Sequence, residues 1–126
     1  MDDNIIRLAA LQESGEISPA AEESIALEFA ARHAHELRYV AAWGRWLGYD
    51  GTRWAHDETL HAFDRARAIC REAAADCDKR TTASTVASAK TVAAVERLAK
   101  ADRRLAATAS QWDTNGWLLN TGDDDN

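Results

Sequence analysis

The residues best suited to chemistry gather near the middle of the chain. His56-Asp57-Glu58-Thr59-Leu60-His61 puts two imidazoles and two carboxylates within six positions. A zinc-protease pattern needs histidines four apart with a glutamate beside the first, whereas these are five apart. Glu58 and His61 have the spacing used in di-iron bundles, but that chemistry needs further carboxylates on facing helices. Glu36 with His33 is the other nearby pair. The segment therefore reads as charged residues at a helix start, and no metal or other cofactor is expected. A small metal-dependent enzyme using Glu58 and His61 is the weakest rival, and metal analysis would test it. No histidine shares a helical turn with Cys70, so that cysteine reads as a packed thiol, not a nucleophile. Cys70 and Cys77 are seven apart on a helix, about 10 Å along its axis. That is beyond disulfide reach, so both read as reduced thiols of a cytoplasmic protein. No Gly-x-x-x-x-Gly-Lys-Ser/Thr occurs, so the chain has no phosphate loop and is expected not to be an enzyme.

Two sets of residues suit binding instead. Arg38, Arg45 and Arg53 interleave with Tyr39, Trp43, Trp46, Tyr49 and Trp54. Rings flanked by cations are how single-stranded nucleic acid is held. The competing and favoured reading is that the rings form the core and the arginines lie over them. The second set is Lys90, Arg97, Lys100, Arg103 and Arg104, a basic stripe able to touch phosphates. An ordinary solvated helix face is the alternative. If DNA is bound, this stripe is the first candidate, with Arg45, Arg53 and Trp46 second. The partner would be single-stranded DNA. Trp117-Leu118-Leu119 is an apolar segment that could dock on a protein partner or pair with a second copy.

These residues need elements to position them. At 126 residues the chain is one domain's worth. Of its apolar residues 27 are alanine, and Leu, Ile, Val and Phe together number only 21. Such a chain has a thin core, and its five tryptophans must supply much of the buried area. Fifteen basic against 21 acidic groups give a net charge of −6, which excludes a uniformly basic nucleic-acid coat. The charge is uneven. Residues 1–36 carry eight acidic and two basic groups, whereas residues 79–104 carry seven basic and two acidic. No run of 18 apolar residues spans a membrane, and the N-terminus lacks a signal-peptide pattern.

Residues 1–17 read as a linker or short helix. Ser18-Pro19 opens a helix that the four-residue recurrence of Ile25, Phe29, His33 and Leu37 extends to about Leu37. Asp50-Gly51 predicts a two-residue hairpin loop, with Tyr49 facing Thr52, Leu47 facing Trp54, Arg45 facing His56 and Trp46 facing Ala55. Asp57 caps a third helix whose stripe is Leu60, Phe63, Ala66, Cys70, Ala73 and Cys77. A fourth helix runs from about Ser84 to Ala99, with Ala89, Val92, Val95 and Ala99 inward. Asp102 caps a fifth carrying Leu105, Ala109 and Trp112. The expected fold is mainly α, about five helices with one short antiparallel β-hairpin (about 43–56) packed on them. Residues 18–120 would form the domain and 121–126 an acidic tail.

The run Leu37-Arg38-Tyr39-Val40 followed by Trp43-Gly44-Arg45-Trp46-Leu47-Gly48-Tyr49-Asp50-Gly51-Thr52-Arg53-Trp54 resembles a known domain. It is the one just ahead of the helicase in phage and plasmid primase-helicases, often called the poxvirus D-five-type N-terminal domain. Ser88-Ala89-Lys90 at a helix start and Trp112-Asp113-Thr114-Asn115-Gly116-Trp117-Leu118-Leu119-Asn120 are similar to it as well, so the resemblance covers about residues 25–120. It implies a role in DNA replication, as a module between a primase domain and a hexameric superfamily-three helicase. In that family Leu-Leu-Asn continues into a Gly-Val-x-Asp-Leu type strand and the ATPase; here three aspartates follow Gly122. A fragment, a prophage remnant and a free-standing module are the three expectations that fit. The function expected is a non-catalytic accessory module of a primase-helicase, working by DNA contact, protein docking or both. The alternative is a protein-binding regulator or prophage remnant without DNA contact.

Overall fold

A computed structural model of the chain describes residues 17–115. Helix α1 (Pro19–His33) begins as its sequence predicts: Ser18 Oγ accepts from the Ala21 N–H at 3.1 Å, and proline fills a first position that needs no donor. It ends four residues before Leu37. Leu37 meets the helical spacing but is buried at the start of a strand, β1 (Leu37–Val40). A turn with Gly44 at φ +65° leads into β2 (Arg45–Tyr49), and a loop leads to β3 (Trp54–His56). Helices α2 (His61–Ala75), α3 (Arg80–Val86) and α4 (Ala89–Lys100) follow. Strand β4 (Ala106–Ala107) and α5 (Ala109–Asn115) complete the order.

The strands form one sheet in the order β3-β2-β1-β4, antiparallel except for the parallel β1–β4 pair. The expectation of a mainly α fold with a single hairpin is therefore corrected. The described residues make a mixed α and β fold, five helices on a four-stranded sheet. Two strands escaped the sequence reading. Helical periodicity claims Leu37, the first residue of β1, and Arg38 to Val40 fall between that helix and the expected hairpin. β4 is two alanines, residues with no strand preference, placed by tertiary pairing with Tyr39 and Val40.

The β2–β3 register also differs. Tyr49 pairs with Trp54, Gly48 with Ala55 and Leu47 with His56. The loop is four residues, Asp50 to Arg53, not two. Asp50 Oδ1 accepts from the Thr52 and Arg53 N–H groups at 2.8 and 3.0 Å, an aspartate turn that outcompetes the Asp-Gly two-residue loop. The slip is two residues, so every side chain keeps its predicted face.

After β3 the helices follow the expected pattern in part. Asp57 does cap α2, although Leu60 itself is exposed and not part of the stripe. The single fourth helix is two, because Ser88 takes an extended conformation and its hydroxyl accepts from the Thr91 N–H, starting α4 afresh. Ala89 is exposed, while Val92, Val95 and Ala99 are buried. Asp102 does not cap the last helix. Thr108 does, in a reciprocal box with Gln111: Gln111 Oε1 accepts from the Thr108 N–H at 2.7 Å and Thr108 Oγ1 accepts from the Gln111 N–H at 3.3 Å.

The sheet divides two clusters. The larger, between the sheet and helices α1 to α4, includes Ile25, Phe29, Leu37, Trp46, Ile69, Cys70, Val92, Val95 and Leu105. The smaller lies on the other face and holds Val40, Leu47, Trp54 and Trp112, the last supplied by α5. No described helix is long and apolar enough to cross a membrane.

Candidate nucleic-acid interface

Strand alternation decides which rings can meet a ligand. Tyr39 and Trp46 are cross-strand partners on the inner face, against the helices. Trp46 is buried; its ring meets Phe29 and Tyr39 edge-on, and its Nε1–H donates to Glu96 Oε2 at 3.0 Å. It serves the core and has no open face for a base. Arg38, Arg45, Leu47, Tyr49, Trp54 and His56 fall on the outer face. There Tyr49 lies 5.2 Å from Trp54, and Trp43, from the β1–β2 turn, lies 5.6 Å from His56. The Arg38 guanidinium lies 5.4 Å from the Trp54 ring centroid and donates to the carbonyls of Ala34 and Leu37. Burial lowers its pKa. Arg45 and Arg53 are exposed and make no side-chain hydrogen bond or ion pair among the described residues. Burial, and then the charge of Arg45, push the His56 imidazole below its ordinary value of 6.5, favouring its neutral form.

The basic stripe separates into parts. Lys90 and Arg97, seven residues apart, share the exposed side of α4 and are unpaired among the described residues. Lys100 is half-buried, its ammonium 4.8 Å from the Tyr39 ring centroid. Arg103 folds back onto the Ala101 carbonyl at 2.7 and 3.0 Å. Arg104 is a staple: it meets both Asp102 carboxylate oxygens, at 3.0 and 2.9 Å, and donates to the Leu27 carbonyl of α1. Those bonds, strongest from Arg104, hold the Asp102 carboxyl below its usual range. Arg104 is thus partly neutralised, and exchanging it for Glu would disturb the fold as well as any DNA contact.

The other chemical candidates are dispersed. Glu58 and His61 are both exposed, and His61 Nε2 accepts from Arg65 Nε at 3.2 Å. His33 Nδ1 is bonded to the Glu36 carboxylate. Among the described residues no group of three His, Cys, Asp or Glu side chains could hold a metal ion. Burial pushes the Cys70 thiol up to about 12, which leaves no thiolate at neutral pH. Trp117, Leu118 and Leu119 lie outside the described residues.

The family profile described as D5 N terminal like matches residues 26–123. The chain belongs to that family. No curated protein and no solved structure matches it. The D5 N-terminal-like domain is an N-terminal module of primase-helicase proteins, which ties the chain to DNA replication. Of the rings that the sequence groups around these arginines, Trp46 is buried, whereas Trp43 and Tyr49 stay partly exposed. The alternation Arg45-Leu47-Tyr49 was the available signal, once β2 was known to pack its Trp46 side on helices.

Proposed function

We propose that this chain is a non-catalytic, cytoplasmic accessory module of a phage or plasmid DNA primase-helicase, acting by contact with DNA. The observation that carries the reading is the family match over residues 26–123. The sequence has no phosphate loop, so ATP-driven work would fall to another domain or subunit. Support for DNA contact comes from Lys90, Arg97, Arg45 and Arg53, four of the exposed cations that make no side-chain hydrogen bond or ion pair among the described residues. A chain of net −6 keeps such cations unneutralised at some cost in ion pairing, and phosphates are their natural partners.

The test is fluorescence anisotropy of labelled DNA over a salt series. Log affinity falls linearly with log salt, with a slope near −0.7 per phosphate contact on a single strand. Replacing Lys90 and Arg97 with Gln should shallow that slope by about 1.4. Absence of binding at low salt overturns the DNA reading.

A second reading, docking to a helicase or primase subunit without DNA contact, draws on Leu60. Its side chain is 73% exposed, and with Phe63 it borders a cleft of about 190 Å³. The same two residues border a second, open cleft of about 500 Å³, so this exposed leucine stands between two recesses able to receive side chains of a protein partner.

A further inference from the structure

Three observations on the outer face of the sheet converge. The first is charge. Strands β1 to β3 contain no carboxylate, and alternation sends both their arginines, Arg38 and Arg45, to this face. In the loop that follows, two backbone N–H groups hold the Asp50 carboxylate ionised beside Arg53, which offsets its charge. The strands of this face thus carry two positive charges and no negative one on a molecule of net −6. The second is the rings. Tyr49 is 39% exposed and Trp43 is half-buried. Each is held in place yet partly exposed: Tyr49 by Trp54 and by its hydroxyl bond to the Gly51 carbonyl, Trp43 by His56 and the smaller cluster. The third is polar. Three buried side-chain atoms lack a partner among the described residues, and two of them, His56 Nδ1 and Trp112 Nε1, belong to this side of the sheet.

We propose that the outer face of the sheet binds single-stranded DNA, with Trp43 and Tyr49 as stacking residues and Arg45 as a phosphate contact. This rests on the DNA-contact reading above and narrows it to one strand form and one surface. Trp43 lies in the turn just before β2 and Tyr49 ends that strand, so the two rings sit near its opposite ends, Trp43 beside His56 and Tyr49 beside Trp54. Stacking uses the π-face that every base presents, so such a site tolerates sequence. A duplex hides those faces, and the site discriminates against it.

The test uses the whole 126-residue chain with a labelled 12-nucleotide oligo-dT and a duplex of equal length. Oligo-dT should bind more tightly than the duplex. Tyr49→Leu keeps the bulk beside Trp54 but removes the ring, and should weaken oligo-dT binding about tenfold. Tyr49→Phe keeps the ring and should bind like the parent. Trp43→Leu should also weaken binding, and Arg45→Gln should reduce the salt slope by about 0.7. Circular dichroism and thermal melting establish that each variant is folded; Tyr49→Leu, at an exposed position, carries the test should Trp43→Leu unfold. Unchanged binding by the folded Tyr49 and Trp43 variants, or equal affinity for the duplex, overturns the stacking site. Should binding then fall only with Lys90 and Arg97, the general DNA reading survives without this surface. No binding to either DNA overturns both.

Discussion

At the start of α2 the chain passes through Leu60 at φ +61°, a left-handed conformation that costs a residue with a Cβ about 1–2 kcal/mol. Asp57 compensates. Its Oδ1 accepts from the N–H groups of Thr59 and His61 at 3.1 and 2.9 Å, and its Oδ2 from that of Ala62 at 2.8 Å. Burial alone would push this carboxyl up, but the three donors outweigh it and hold the pKa below the ordinary 3.8. A carboxyl depressed by folding stabilises the protein above its unfolded value, and that contribution is lost as pH falls through the lower folded one. Asp57→Ala should therefore cost about 2 kcal/mol at pH 7, near the upper end for a cap. Urea melts between pH 7 and pH 2 should show the parent losing stability below about pH 4, and the variant losing less over that interval. Equal pH dependence would mean that Asp57 is not the group responsible.

Among the elements, α5 is short, and its seven residues lie far below the length at which a helix is stable alone. It persists by its capping box and by Trp112, whose ring meets Trp54 edge-on at 5.5 Å. Thr108→Ala removes one side of the box and should cost about 1 kcal/mol. The loss should be local. Hydrogen exchange should quicken in 109–115 while the amides of α2 and α4 keep their protection; a uniform increase would mean that α5 is part of the global unit. The box, Thr108-x-x-Gln111, was written in the sequence, but Asp102 six residues earlier offered an equally plausible start. Helix periodicity and the caps Ser18-Pro19 and Asp57 were legible because they are local. Strand β4 was not, because nothing in Ala106-Ala107 distinguishes it from helical alanines; pairing with β1 decides it. The loop after β2 failed for a related reason, since an Asp-Gly pair serves a two-residue turn and an aspartate turn alike. The site was half legible. Its cations and rings were visible as a cluster, but the face each occupies required knowing which side of β2 the helices cover.

The whole molecule depends on one main cluster drawn from α1, β1, β2, α2, α3, α4 and Leu105. With so few large aliphatic side chains, no single element has enough apolar area to stand apart, so the cluster should open as a unit. Cys70 is a built-in probe of that cooperativity. It is fully buried in the cluster, and burial raises its pKa to about 12, so both access and thiolate are denied in the native state. Cys77 is half-buried, its Sγ–H donating to the Ala73 carbonyl at 3.5 Å, and should react with a thiol reagent without global unfolding. Labelling of Cys70 in increasing urea then gives the free energy of the opening that exposes it. For a single cooperative unit this value should equal the unfolding free energy from circular dichroism, with the same dependence on urea. A Cys70 value lower by about 2 kcal/mol or more, with a weaker urea dependence, would mean that α2 detaches from the sheet while the remainder stays folded.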